Sequence, residues 1–271
     1  MKLKNVVQDN NGVSPVIGII LILSIVTVSI AIIYTSGVPF IDSAKQNTQF
    51  TSARNSFTVL HNDIMEVANG PVTGAGTGRI TKINLGGGLI SVEPNETKMV
   101  IEYTKLGVPG NETAIPGTIS YQNKGGKVIY ENGAVFSNYF SNSYMEIEPK
   151  IYASNLGHES TGLMIHIINL TSSNTSVGSS NTGKIRTFWE NKYTHFSNDV
   201  DTVTITITSP NNDSWGRYFN ETLTSAGLES GTHFNITTIP PYTERIEITG
   251  PGSTEDIYLS IYETKIKSNA E

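Results

Sequence analysis

Residues Gly12 to Ile33 read GVSPVIGIILILSIVTVSIAII, and this stretch decides the architecture. From Asn10 to Ile41 no residue is charged, and Val16–Ile33 is interrupted only by Gly18, Ser24, Thr27 and Ser29. At ~1.5 Å per residue those positions span roughly 27 Å as a helix, close to the ~30 Å of a bilayer's hydrocarbon core. The core helix of a globular domain rarely stays apolar on every face; this one does. A membrane-spanning helix is expected, with water resuming at Asp42 and Lys45.

Outward from that stretch, composition points to a strand-rich chain. Of 271 residues only 15% are charged, and Ser, Thr, Asn and Gly take the place of the rest; soluble domains average about 25% charged. Collagen-like, disordered and coiled-coil chains do not have this composition. The length has room for one large domain or two small ones. Lys and Arg number 18 against 24 Asp and Glu, a net charge of −6 that argues against nucleic acid or an anionic membrane surface as partner. The chain has no cysteine, which excludes disulfide scaffolds, Cys-zinc sites, iron–sulfur clusters and thiol nucleophiles.

Three kinds of segment begin a chain in this way. A secretory signal has a shorter apolar region followed by an A-x-A-like cleavage site; here the run continues into Tyr34-Thr35-Ser36-Gly37-Val38-Pro39. A plain anchor fits, since Lys2 and Lys4 would hold the N-terminus in the cytoplasm and leave the bulk of the chain outside. The third kind offers its cleavage site before the apolar run. The basic leader MKLKNVVQDNN is followed by the small residue Gly12, and Val13-Ser14-Pro15-Val16-Ile17-Gly18 opens the helix. This order resembles the class III signal of type IV pilins and archaellins, and VSPVIGIILILSIVTVSIAII is similar to the N-terminal segment of the archaeal type IV pilin family. The resemblance implies cleavage by a prepilin peptidase between Gly12 and Val13. It also implies an apolar helix that leaves the membrane to pack with other pilin-like subunits in a filament core. Pro15 suits the first turn of that helix, having no amide hydrogen to leave unbonded. Gly18, Ser24 and Ser29 let apolar helices approach closely. Bacterial pilins carry a glutamate at the fifth mature position, where this chain has Ile17; archaeal members commonly lack it too.

Pro39 is expected to kink or locally melt the helix. Beyond it Phe50, Ala53, Phe57, Leu60, Ile64 and Val67 step by three and four along one helical face, until Asn69-Gly70-Pro71 stops the helix. The stripe is expected to dock on the chain's own head, with neighbouring subunits as the other option. Together FTVLHNDI (57–64), RITKINLGGGLISV (79–92) and TISYQNKGGKVIYENGAVF (118–136) resemble a family of archaeal pilin-like surface proteins of unassigned function.

From Arg79 the period shortens to two. Val203, Ile205 and Ile207 alternate with threonines, and Ile257, Leu259 and Ile261 repeat the pattern. Met145, Ile147 and Ile151 alternate with charged residues, Pro149 marking an edge or a bulge. Short strands are also expected at 79–85, 88–93, 98–104, 117–122, 126–131, 162–170, 184–189, 233–239 and 243–249, which suggests a sandwich or barrel. Ser214–Ala226 is expected to be helical, with Ser214 as cap, Trp215, Phe219 and Leu223 inward and Gly227 as stop. Pro71–Gly78 and Ser172–Gly183 read as loops.

No motif announces chemistry. Gly74-Ala75-Gly76-Thr77-Gly78 precedes a strand and lacks the Lys-Ser/Thr of a phosphate loop, so it reads as a turn. Gly86-Gly87-Gly88 reads as a hairpin connection. There is no G-x-S-x-G and no H-E-x-x-H, and His158-Glu159 has no second histidine at helical spacing. His61, His166, His195 and His233 are scattered. Asp199-Val200-Asp201 and Asn211-Asn212-Asp213 offer oxygen ligands for calcium, without the spaced acidic set and bidentate glutamate of a dedicated loop. Asn95, Asn111, Asn169, Asn174, Asn212, Asn220 and Asn235 lie in N-x-S/T sequons and are glycosylation candidates. Chance in so Asn-, Ser- and Thr-rich a chain gives roughly five such sites.

The expectation is an α+β chain: a leader at 1–12, a transmembrane or filament-core helix at 13–41, an amphipathic stem helix at 42–70 and an extracellular β-rich, sandwich-like head at 71–271. It is expected to be a pilin-like filament subunit in adhesion or surface assembly, with no enzymatic activity, cofactor or metal. Its expected partners are the membrane, a prepilin peptidase and other pilin-like subunits. At 271 − 12 = 259 mature residues, a minor or tip subunit fits. The alternative is a single-pass, membrane-anchored β-domain that binds a surface ligand without filament assembly.

Overall fold

The computed structural model describes residues 15–70, 78–139, 142–157, 160–173, 175–178, 181–249 and 257–271. The leader, the Gly12–Val13 bond, residues 71–77 of the expected loop, His158-Glu159 and Asn174 lie outside them. The chain is α+β: a long apolar helix followed by a domain built from several sheets.

Helix α1 (Pro15–Ala68) carries Pro39 in its interior and does not end there. The expected local melting is absent, because Pro39 removes one backbone donor from a ladder of many while apolar and helix-favouring turns continue on both sides. Two compact units meet between Gln46 and Asn47, so the amphipathic part of α1 belongs to the β-rich unit. Phe50, Ala53, Phe57, Leu60, Ile64 and Val67 are all at most 2% exposed. The stripe is buried in this chain's own head, each large side chain adding about 1.5–3 kcal/mol of apolar burial.

Among the described residues the head has three sheets. The first orders β1 (Gly78–Asn84), β12 (Thr182–Val200), β16 (Ile257–Ala270), β10 (Ser160–Thr171) and β9 (Ile151–Gly157). The second orders β11 (Thr175–Gly178), β2 (Leu89–Glu93), β5 (Thr118–Asn123), β6 (Gly126–Glu131), β7 (Ala134–Tyr139) and β8 (Asn142–Ile147). The third orders β14 (Phe234–Ile239), β15 (Thr243–Ile248), β13 (Thr202–Thr208), β3 (Lys98–Lys105) and β4 (Val108–Ala114). Pairing is antiparallel except between β10 and β16, which run parallel with Ile165 opposite Ile261.

Two cores divide these sheets. One gathers Val203, Ile205 and Ile207 of β13, Ile257, Leu259 and Ile261 of β16, and helix α2 (Asn212–Ser225) through Trp215, Phe219 and Leu223. The other gathers the α1 stripe, Ile119 and Tyr121 of β5, and Ile266 of β16. The second sheet stands between them: Val128 and Tyr130 face the α1 core while Ile129 faces the α2 core, and Val135 and Phe136 divide likewise. In β16 the buried positions are 257, 259 and 261, then 264, 266, 268 and 270, so the strand changes its buried face midway.

Several expectations are corrected. Strands β4 and β7 were not expected: β7 is buried on both faces and shows no alternation, and β4 is an edge with little apolar content. Residues 172–183 are not one loop, because Thr175–Gly178 pairs with β2 and Thr182 opens β12. Strand β12 runs for 19 residues rather than 184–189, since register shifts at Trp189/Asn191 and Ser197/Val200 break its pattern. Of the two readings of Pro149 the edge holds: it separates β8 from β9, and each is the edge strand of its sheet. The N-cap of α2 is Asn211, not Ser214; Ser214 lies inside the helix and its hydroxyl donates to Ser143 O at 2.8 Å. Asn132 (φ 48°) and Gly133 (φ 80°) form the β6–β7 turn, where consecutive positive φ values suit Asn-Gly.

Leu60→Ala is expected to lower the stability of the head by about 3 kcal/mol, whereas Val59→Ala, at a position 53% exposed, changes it by less than about 0.5 kcal/mol. Urea unfolding of the full chain in detergent, followed by tryptophan fluorescence, measures the difference.

Candidate functional site

Two parts of the molecule are built in a way that packing alone does not explain. The first is the apolar part of α1. Its large side chains are exposed: Ile19, Leu23, Ile30, Ile33 and Phe40 are between 61% and 75% exposed. A window of this helix has a mean hydropathy of 3.1 and none of it is buried, so the helix is long and apolar enough to cross a membrane. Its polar side chains fit that setting. The hydroxyls of Ser24, Thr27, Ser29 and Thr35 donate to the carbonyls four residues before, at 2.7–2.9 Å. A hydroxyl bonded within its own helix asks nothing of a hydrocarbon solvent. A Cβ added to Gly18 would meet nothing within 4 Å, so this chain's own packing places no demand for glycine there.

The second is a buried polar cluster where β6, the β13–α2 connection and β15 converge. Glu131, 1% exposed, closes β6. Its Oε2 accepts from the Ser209 hydroxyl at 2.8 Å and Asn211 Nδ2 at 2.9 Å, and its Oε1 from the Trp215 indole at 2.9 Å. Asn211 Oδ1 in turn accepts from Asn138 Nδ2 and the Ser143 hydroxyl, which ties in β7 and β8. The next residue turns the other way: Asn212 Nδ2 donates to Glu244 Oε1 at 3.1 Å, which also accepts from the Thr238 hydroxyl at 2.8 Å. Burial pushes the Glu131 carboxyl up to about 7, against the opposing pull of its three donors. The cluster is internal and joins the second and third sheets.

Sequence reasoning missed this cluster. Its one local sign is a carboxylate following the apolar run Val128-Ile129-Tyr130, because the partners of Glu131 lie some 80 positions away. Asn211 and Asn212, weighed above as calcium ligands, are spent on the two glutamates. Asp201 accepts from Gly107 N, and Asp199 sits at φ 56° where β12 shifts register. Among the described residues no three His, Asp or Glu side chains converge as a metal site. The described histidines stay apart: His61 lies tilted beside Tyr130 with ring centres 6.3 Å apart, His166 bonds Thr264, His195 bonds the Tyr103 hydroxyl, and His233 accepts from Glu229 N. Burial, with Lys150 and Lys192 nearby, lowers His166 to about 4.

Of the glycosylation candidates, Asn95, Asn111, Asn220 and Asn235 are exposed. Asn169 is half-buried and donates to Glu263 Oε1 at 2.8 Å. Asn212 does not belong with them: it is 6% exposed and its amide nitrogen is bonded to Glu244.

The chain belongs to a family of unknown function, DUF7289, whose profile matches residues 11–266 and so runs through both the apolar helix and the head. No curated protein and no solved structure matches it.

The raised Glu131 carboxyl makes stability depend on pH. Its folded value of about 7 lies above the ordinary 4.5, so the folded chain holds a proton that the unfolded chain releases. The contribution is full below the lower value and is lost as pH rises to the upper one, a fall of about 3 kcal/mol. In Glu131→Gln this component is expected to vanish. Subtracting variant from wild-type urea stabilities across that window isolates it from the other carboxylates.

Proposed function

We propose that the protein is a pilin-like surface subunit. Its leader is removed between Gly12 and Val13 by a prepilin peptidase, its apolar helix is held in the membrane before assembly, and the same helix packs among those of other subunits afterwards. The observation that carries this reading is the apolar part of α1: exposed on all sides, free of charge from Asn10 to Ile41, with its hydroxyls bonded internally. Such a surface is unstable in water by about 25 cal/mol for every Å² of apolar area and needs a cover, which lipid or a bundle of like helices supplies.

The position of the basic leader supports the cytoplasmic side for the N-terminus and the outside for the head. The head's part is adhesion or surface assembly; no reaction is assigned to it. The buried stripe of α1 supports a division of labour along one helix, apolar residues for lipid and other subunits before Gln46, and Phe50 to Val67 for the head. Glycans, where present, would sit on Asn95, Asn111, Asn220 or Asn235, the exposed sequons.

Mass spectrometry of the N-terminal peptide, in envelopes and in sheared surface material, tests the proposal. A chain beginning at Val13 and recovered with filaments is expected, and Gly12→Leu is expected to retain the leader and abolish recovery in the sheared fraction. A native chain still beginning at Met1 overturns the processing step and leaves a fixed anchor displaying a β-rich domain.

A further inference from the structure

On the first sheet, the face turned away from the α2 core is exposed at Tyr152, Tyr258 and Phe196 and becomes buried from His166 and Thr264 onward, where the α1 core begins, and the strand register sets its side chains in rows. One row runs Tyr152, Met164, Ser260, Phe196 across β9, β10, β16 and β12. On one side lies Tyr258, opposite Gly162. On the other Tyr262 lies between His166 and Thr194, and Lys150 extends that row, its carbonyl accepting from His166 N. Lys192, opposite Thr264, is one step further along. Phe196, Tyr152 and Tyr258 are 64%, 52% and 45% exposed. Phe196 meets the Tyr262 ring edge-on at 5.5 Å, and Lys192 Nζ stands 5.7 Å from the centre of the same ring.

The charge on this face has one sign. No acidic residue stands in these rows, and among the described residues neither Lys150 nor Lys192 has a carboxylate within ion-pair distance. In a chain of net charge −6, two unpaired lysines on an aromatic sheet face are a local reversal. Both lie close enough to His166 to oppose its protonation. Lys192 lies on β12 and Lys150 immediately before β9, three strand spacings or about 14 Å apart across the sheet.

We propose that this face binds an acidic oligosaccharide, its sugar rings laid on Tyr152, Tyr258 and Phe196 and its carboxylate or sulfate groups held by Lys150 and Lys192. Sugar rings present an apolar C–H face to aromatic rings and a hydroxyl rim to the Ser and Thr side chains between them. Sparse anionic groups match two cations set well apart. A single-stranded nucleic acid also stacks on aromatic rings, but it carries a phosphate at every nucleotide and is held by a continuous basic track, which two lysines do not make. A second copy docking face to face by two-fold symmetry would bring lysines against lysines with no acid between. The inference is independent of filament assembly.

Calorimetric titration of the full chain in detergent micelles tests it, with oligogalacturonate and sulfated dextran as acidic probes, maltooligosaccharide as neutral probe and oligo-dT as nucleic acid. At least one acidic probe is expected to bind saturably, more tightly than either of the others, and to weaken as salt rises. Phe196→Ala, and Lys150→Gln combined with Lys192→Gln, are each expected to weaken it about tenfold. Lys98→Gln, on the third sheet, leaves it unchanged. These substitutions lie at partly or fully exposed positions, and unchanged unfolding midpoints confirm that the fold is kept. No binding of either acidic probe, equal binding by all variants, or tighter binding of oligo-dT overturns the assignment.

Discussion

Strands β10 and β16 lie side by side, and each faces the α2 core along its first half and the α1 core along its second. Side chains alternate sides strictly along a strand, so a slip of one residue in their pairing would turn Ile257, Leu259 and Ile261 out of one core and Ile266 out of the other at once. Register is therefore enforced twice over. It also fixes the other sheets. The second must fit between the cores with both faces apolar, and the third closes the α2 core with Val203, Ile205 and Ile207 on one face and threonines on the other. The amphipathic part of α1 is needed for the same reason, because without its stripe Ile119, Tyr121 and Ile266 would have no cover.

Where the second and third sheets meet, apolar packing gives way to a polar joint. Burying a carboxylate is unfavourable unless it is hydrogen-bonded. Glu131 meets that condition with three donors from one short connection and the helix behind it. The same connection reaches Glu244 through Asn212. Apolar side chains at these positions would pack in many ways; two carboxylates, each with particular donors, accept one. The joint orients the sheets rather than strengthening their contact.

Much of this plan is legible in the sequence where a segment has one wet face. The stripe from Phe50 to Val67, the alternation Val203-Ile205-Ile207 and the apolar face of α2 all carry their period openly. Legibility fails where that asymmetry is lost. In β7 Ala134 to Ser137 are buried without alternation, and in β12 two register shifts conceal a strand of 19 residues. The polar joint is hidden for another reason. Asn211 and Asn212 read locally as turn or cation-binding residues, and only folding brings Glu131 and Glu244 to them. The aromatic face of the first sheet is likewise a product of register, since Tyr152, Phe196 and Tyr262 are far apart along the chain.

The place of β16 carries a consequence for how the head is made. It follows every other described strand, yet it lies between β12 and β10 and lines both cores. Of the described elements α1 leaves the ribosome before any strand, whereas neither core can close until residues 257–270 have been synthesised. Until then β12 and β10, which β16 separates in the finished sheet, each keep one edge without its strand partner.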